Sequence, residues 1–249
     1  KKVASIGTLG IKTNNSFKSL QNTTIDPLKL SHIFKNLKRK KIENVVMEAS
    51  SHGLKQHRLD GLFFDVGIFS NLSHDHLDYH KNFNSYVNTK ISLFAKYLKS
   101  NGVAIINYNL KNYKMIEEKL KKRNIKIITY GSKDIYFLKN KNLFLYIYGK
   151  KFKLEKFQLE NNIQKENLEC AIACALAMNI SVKKIINCLN MLKSAPGRFE
   201  TINYKKKKSK IIIDYAHTPD ALENILKNFS YDKFKPSLVF GCGGDRDKL

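Results

Sequence analysis

The chain is expected to be an α/β protein: a mostly parallel sheet flanked by helices, a small β appendage, and the beginning of a second α/β domain. Three observations carry this. Short apolar, β-branched runs alternate with helical patterns of roughly 10–15 residues, the rhythm of parallel βαβ units covered on both faces. Clusters of Glu, Ser, His and Asp stand directly after such runs, where ligands bind in open parallel sheets. Hydrophobic residues make up 43% of 249, enough to fill a core, which argues against a disordered or fibrous chain.

Val3 to Gly7 has the apolar character of a buried strand. Asp26 and Pro27 supply an N-cap and a first-turn proline for a helix to about Arg39, with Leu28, Leu30, Ile33, Phe34 and Leu37 at helical spacing. Asn44 to Glu48 and Asp65 to Phe69 are further strands, and Asn82 to Leu98 is an amphipathic helix. Val103 to Asn107, Asn112 to Arg123 and Lys126 to Tyr130 repeat strand, helix, strand. From Ile135 to Leu159 turn signals at 139–142 and 149–151 divide short strands. Helices follow at Lys165 to Met178 and, capped by Ser181, to Leu192. Ser194-Ala195-Pro196-Gly197 is the best linker, placing one domain at 1–195 and a second at 196–249. The second holds a hairpin around Lys205 to Lys208, a strand at Ile211 to Asp214, a helix from Pro219 to Phe229 and a strand at Ser237 to Phe240.

Lysine and arginine total 45 against 21 acidic residues, giving +24. Clustered cations invite a nucleic-acid-binding module as an alternative, but only Arg39, Arg58, Arg123, Arg198 and Arg246 are arginine, the preferred side chain for bidentate phosphate and base recognition. The lysines accompany abundant Asn, Ile, Tyr and Phe, a pattern that an AT-rich genome produces; no nucleic-acid partner is expected. The runs at 38–41 and 205–208 fall at a helix end and a hairpin turn and are expected to be solvated. Cys170, Cys174, Cys188 and Cys242 show no metal spacing and are expected to be buried free thiols. No run approaches the roughly 18 apolar residues of a membrane helix, so a cytoplasmic protein without membrane insertion is expected. The chain begins without methionine and stops after a glycine-rich turn, which suggests a part of a longer protein.

Chemistry concentrates after two strands. Glu48-Ala49-Ser50-Ser51-His52-Gly53 offers a carboxylate, hydroxyls and an imidazole, and Ser73-His74-Asp75-His76-Leu77-Asp78-Tyr79-His80 follows the strand ending at Phe69. Glu48 and His76 suit a divalent ion, the oxygen donor favouring Mg²⁺ or Mn²⁺ over zinc. Helix capping is the competing role for the histidines, and the favoured one for His74 and His80.

Glu48 to Arg58, Asn71 to His80, Asp214 to Leu222 and Phe240 to Lys248 together resemble, in order, the signature blocks of the Mur ligases, in particular the branch that adds the third residue of the peptidoglycan stem peptide. The resemblance implies a central Mur ligase domain followed by the start of a Rossmann-like C-terminal domain. It implies an ATP-dependent ligation of a diamino acid, with meso-diaminopimelate the commoner choice, to UDP-MurNAc-L-Ala-D-Glu through an acyl phosphate. Asn22, Thr23 and Thr24, with Ser50, Gln56 and Arg58, would hold the UDP-muramoyl substrate. Lys90 would be carbamylated by CO₂ and join Glu48 and His76 as catalytic and Mg²⁺-binding groups. Asn167, Arg198, Asp214 and His217 would contact ATP. Residue chemistry alone left Thr23 and Thr24 as the lead-in to the helix cap, Lys90 as a solvent-exposed lysine, and Asn167 and Asp214 as caps. The family's Gly-x-x-Gly-Lys-Thr phosphate loop has no counterpart in the 249 residues, so turnover is not expected of them alone. A monomer is expected; another Mur ligase or a folylpolyglutamate synthase relative is the enzyme alternative.

Overall fold

The computed structural model describes residues 2–72, 77–155, 157, 161–192, 195–204, 209–229 and 236–241. The chain forms two compact units, Lys1–Gly67 with His76–Gly102 and Ile68–Asp75 with Val103–Leu249.

The first unit is built on β1 (Val3–Gly7), β2 (Gly10–Thr13), β3 (Phe17–Lys18) and β4 (Asn44–Met47), in the order β3-β2-β1-β4. β1 and β4 are parallel, with Ile6 opposite Met47, while β2 and β3 fold back as an antiparallel meander. The meander lay outside the sequence expectation, since four- and two-residue strands carry too little periodicity to register. α1 (Pro27–Arg39) begins where expected: Asp26 Oδ1 accepts the Lys29 N–H at 3.0 Å. Leu30 and Leu37 pack with Ala4, Ile6, Leu54, Leu59 and Tyr97 into the core beneath the sheet. The cation run 38–41 is exposed, as expected.

After β4 the chain enters α2 (Ser51–Lys55), a single turn too short to be recognised from sequence. β5 (Phe64–Phe69), α3 (Leu77–His80) and α4 (Phe83–Ser92) follow, with Asn82 Oδ1 accepting the Ser85 N–H at 2.8 Å. The helix expected to reach Leu98 ends earlier: a π-helical turn, Leu93–Tyr97, leads into β6 (Leu98–Asn107), whose first half is the Lys-Ser-Asn-Gly stretch without helical periodicity.

The second unit continues with α5 (Tyr113–Lys121), β7 (Lys126–Tyr130), β8 (Ile135–Lys139), β9 (Leu143–Ile147) and β10 (Lys150–Leu154). The sheet order is β10-β9-β8-β7-β6-β5, parallel from β6 to β8 and antiparallel across the appendage. α6 (Asn162–Ala177) and α7 (Val182–Cys188) follow, then the antiparallel pair β11 (Glu200–Tyr204) and β12 (Ser209–Ile213) and α8 (Pro219–Leu226). Two expectations fail. Residues 237–240 form no strand, because no neighbouring strand pairs with them among the described residues and a lone strand has no ladder to stabilise it. The thiols are less buried than expected: Cys170 and Cys174 are half-buried and Cys188 is exposed, on a short helix that buries only Ile185. Cys242, the turn at 205–208 and linker residue Ser194 lie outside the described residues.

Candidate functional site

Parallel pairing of β1 with β4 brings two strand ends together, and the residue after each carries the chemistry. Thr8 N–H and Thr8 Oγ1 both donate to Glu48 Oε2, at 3.0 and 2.9 Å. Thr8 Oγ1 also lies 3.0 Å from Thr23 Oγ1. Gly7 permits this approach, since a Cβ there would stand 2.7 Å from Glu48 Oε2. Glu48 is exposed and its Oε1 has no hydrogen-bond partner among the described residues, an open oxygen donor of the type a hard cation takes.

The expected substrate residues divide into two groups. Thr24 is 1% exposed and internally committed: its hydroxyl donates to the Glu48 carbonyl at 3.1 Å and accepts the Ser50 N–H at 2.9 Å. Ser50 Oγ accepts the Gly53 N–H at 3.1 Å and so caps α2, and the Arg58 guanidinium donates to the Thr24 carbonyl at 2.6 Å. Gly53 is needed for the close packing, because its Cβ would stand 2.6 Å from Thr24 Cβ. Asn22 is exposed and lines a cleft of about 540 Å³ between the β2–β3 meander and α1. Gln56, also exposed, donates to Tyr79 Oη at 3.1 Å.

From Tyr79 a row of rings runs through the unit. His52 stacks on Tyr79 with centroids 4.0 Å apart, Tyr79 meets His80 edge-on at 5.0 Å, and His80 lies 5.2 Å from Tyr86. Lys90 Nζ sits 4.7 Å from the centroid of Tyr86, one turn back on α4. Lys90 is half-buried rather than solvent-exposed, with its ammonium over this ring. His80 is not a cap: it is 1% exposed within the ring row, and Asn82 caps the next helix. His74 and His76 lie outside the described residues, and among the described residues no group of three or more His, Cys, Asp or Glu gathers as a metal cluster.

In the second unit, the end of β12 collects three of the expected nucleotide residues. Asp214 accepts the Phe199 N–H at 2.7 Å and the Ala216 N–H at 2.8 Å, clamping the loop before β11 rather than capping a helix. The Arg198 guanidinium lies 5.1 Å from the Tyr215 ring centroid, and His217 Nδ1 is 2.9 Å from the Tyr215 carbonyl. Asn167 is exposed on α6 and does not cap it, since that helix starts a turn earlier than expected. The cap is Asn161, 9% exposed, whose Oδ1 accepts the Gln164 N–H at 2.8 Å while its Nδ2 has no hydrogen-bond partner among the described residues. An Asn three residues before a helix-forming Gln was the overlooked signal.

A family model described as the Mur ligase middle domain matches residues 1–181, and one described as the Mur ligase glutamate ligase domain matches residues 197–249. The chain belongs to the Mur ligase family. This Mur ligase chain is 36% identical over 262 residues to the UDP-N-acetylmuramoyl-L-alanyl-D-glutamate–2,6-diaminopimelate ligase of Rickettsia conorii, covering 100% of the chain and 54% of that relative. To the ligase of the same name in Alkaliphilus oremlandii it is 37% identical over 257 residues, covering 99% and 52%. It therefore spans about half the length of the curated relatives it matches. Among solved structures, a 2,6-diaminopimelate ligase aligns with a TM-score of 0.75 at 31% identity, over 99% of this chain and 52% of that one. A folylpolyglutamate synthase from Thermotoga maritima aligns with a TM-score of 0.64 at 15% identity, over 92% and 59%, a likeness of fold alone. The α/β architecture expected from the sequence is the Mur ligase fold. No helix among the described residues is long and apolar enough to cross a membrane.

Proposed function

We propose that this chain is the central domain, residues 1–195, and the start of the C-terminal domain, residues 196–249, of an ATP-dependent ligase that joins meso-diaminopimelate to UDP-MurNAc-L-Ala-D-Glu in the cytoplasm. Similarity along the whole chain to proteins named as 2,6-diaminopimelate ligases carries the proposal. Two family models meeting between residues 181 and 197 support the division. Folylpolyglutamate synthases and the ligase adding D-alanyl-D-alanine align at 14–20% identity, against 31% for the 2,6-diaminopimelate ligase structure, which favours the tripeptide-forming branch.

In the proposed reaction a D-glutamyl carboxylate oxygen attacks the γ-phosphorus of ATP, the bond to ADP breaks, and an acyl phosphate forms. The amine of the diamino acid then attacks the acyl carbon, phosphate leaves, and a proton is lost to give the amide. Charge builds on the transferred phosphoryl group, so catalysis depends on preorganised positive charge and donors. Mg²⁺ would supply part of that charge, held by Glu48 through Oε1, by His76 and by Lys90 as its CO₂-derived carbamate. On the substrate side Thr23, Asn22, Gln56 and Arg58 offer hydroxyl, amide and guanidinium groups suited to the sugar, the peptide and its carboxylates. Thr24 and Ser50 serve by shaping this loop. Arg198, in the loop before β11, is proposed to meet the ATP phosphates and Asp214, at the end of β12, the ribose, with His217 beside them and Asn167 on the adenine side.

The test is ADP release by the full-length polypeptide that contains these residues. Release that requires both UDP-MurNAc-L-Ala-D-Glu and meso-diaminopimelate is expected. Lys90→Ala is expected to abolish it, and a short carboxylate added in solution to restore part. Wild-type turnover in Lys90→Ala removes Lys90 from the mechanism, and release that ignores the dipeptide substrate overturns the function.

A further inference from the structure

We infer that Thr8 is the positioning residue for Glu48 and couples it to the substrate loop through Thr23; this deepens the proposed function, since it rests on Glu48 as cation ligand and Thr23 as substrate contact. Thr8 spends both its backbone N–H and its hydroxyl proton on one atom, Glu48 Oε2. A hydroxyl carries one proton, so the 3.0 Å contact between Thr8 Oγ1 and Thr23 Oγ1 has a fixed direction: Thr23 donates and Thr8 accepts. The chain of donors therefore runs Thr23 to Thr8 to Glu48, each bond polarising the next toward the carboxylate.

Two consequences follow. Glu48 is held by one oxygen, and its Oε1 keeps a set direction for the cation, the service that outer-shell donors render to metal-binding carboxylates. Thr23, with its proton committed, can only accept: the substrate group that it recognises is a donor, an amide N–H or a sugar hydroxyl. An anionic oxygen placed on Thr23 would instead take its proton and break the relay to Glu48. Gly7 belongs to the same device, since a side chain there would collide with Glu48 Oε2.

The experiment measures Mn²⁺ affinity, with the metal alone as probe, by electron paramagnetic resonance on the full-length polypeptide. Glu48→Gln is expected to lose the site. Thr8→Val, which keeps the N–H and shape but lacks the hydroxyl, is expected to weaken Mn²⁺ about 10-fold, the low end for an outer-shell partner, and Thr8→Ser to restore it. Thr23→Val is expected to weaken Mn²⁺ about 2- to 3-fold when Thr8 is present and to do nothing in the Thr8→Val background, as coupled residues behave. If Thr8→Val lowers the melting temperature, Thr8→Ala, which also keeps the N–H and lacks the hydroxyl, takes its place in the cycle, and Thr23→Val is again expected to do nothing in that background. Wild-type affinity in Thr8→Val alongside a lost site in Glu48→Gln overturns the relay alone. Wild-type affinity in Glu48→Gln overturns the cation role of Glu48 and the relay with it, whereas strictly additive Thr8 and Thr23 effects leave Thr8 a loop residue.

Discussion

Glu169 offers a stability test that needs no ligand. It sits on α6 facing β8, 0% exposed, with Oε1 accepting the Phe137 N–H at 2.6 Å and Oε2 without a hydrogen-bond partner among the described residues. Lys165 Nζ, one turn back, is 3.9 Å away. Burial pushes the carboxyl up from 4.5 to about 7, against the opposing pull of the Phe137 N–H and Lys165. In the unfolded chain Glu169 ionises near 4.5, whereas the folded protein resists ionisation until about 7. The favourable contribution is thus complete below about pH 4.5, declines as pH rises to 7 and stays lost above it. For those two values the loss between pH 5 and pH 8 is about 2–3 kcal/mol. Glu169→Gln keeps an oxygen for Phe137 and cannot ionise, so its stability should lack this slope. The assay is urea unfolding of both proteins across that pH range, followed by circular dichroism and tyrosine fluorescence, the chain having no tryptophan. Wild type is expected to lose about 2–3 kcal/mol relative to Glu169→Gln from low to high pH. Parallel profiles would refute the reasoning, and a slope of the opposite sign would mean that Lys165 holds the carboxylate ionised.

Thr24→Val leaves the Ser50 N–H and the Glu48 carbonyl without their partner, and a loss of about 2 kcal/mol is expected in the urea midpoint; an unchanged midpoint would show the Thr24 bonds to be dispensable. Gly53→Ala forces a Cβ against Thr24 and should cost about 1–3 kcal/mol, read by thermal unfolding; neutrality would mean that α2 shifts freely. Binding of UDP-MurNAc-L-Ala-D-Glu, followed by calorimetry, is expected to survive a rise from about 50 to 200 mM salt that disperses lysine-driven DNA association. DNA binding that persists at the higher salt would revive a nucleic-acid role for the +24 charge.

Elements with strong local signals were legible in the sequence. α1 carries its cap, its proline and its apolar stripe in one stretch of chain, and β1 and β7 appear with the expected bounds. The appendage strands were legible because turn residues separate them. What was hidden depends on long-range partners. β2 exists as a strand because β1 lies beside it, and β3 because β2 does, whereas residues 237–240 stay irregular with no such neighbour among the described residues. Lys90 likewise looked like any lysine on an amphipathic helix, and its place over the Tyr86 ring, next to His80, shows only in the folded chain. Thr8 was the largest omission at the site. A threonine following a strand is unremarkable until the parallel register with β4 sets it against Glu48.

The paired threonines show why residue type alone could not assign the substrate loop. A hydroxyl has one proton to give and two lone pairs to receive. Thr24 gives its proton to the Glu48 carbonyl, receives the Ser50 N–H, and at 1% exposure offers nothing to a ligand. Mutating it would nevertheless impair binding, because Arg58 and α2 are fastened to the same residue. Thr23 is half-buried beside it, and its only hydrogen bond among the described residues is to Thr8, which leaves acceptor capacity on its hydroxyl. Loss of function on substitution therefore cannot distinguish the residue that builds the loop from the one that recognises substrate. Stability can: Thr24 substitutions should fail in urea, whereas Thr23 substitutions should leave the fold intact and act on affinity alone.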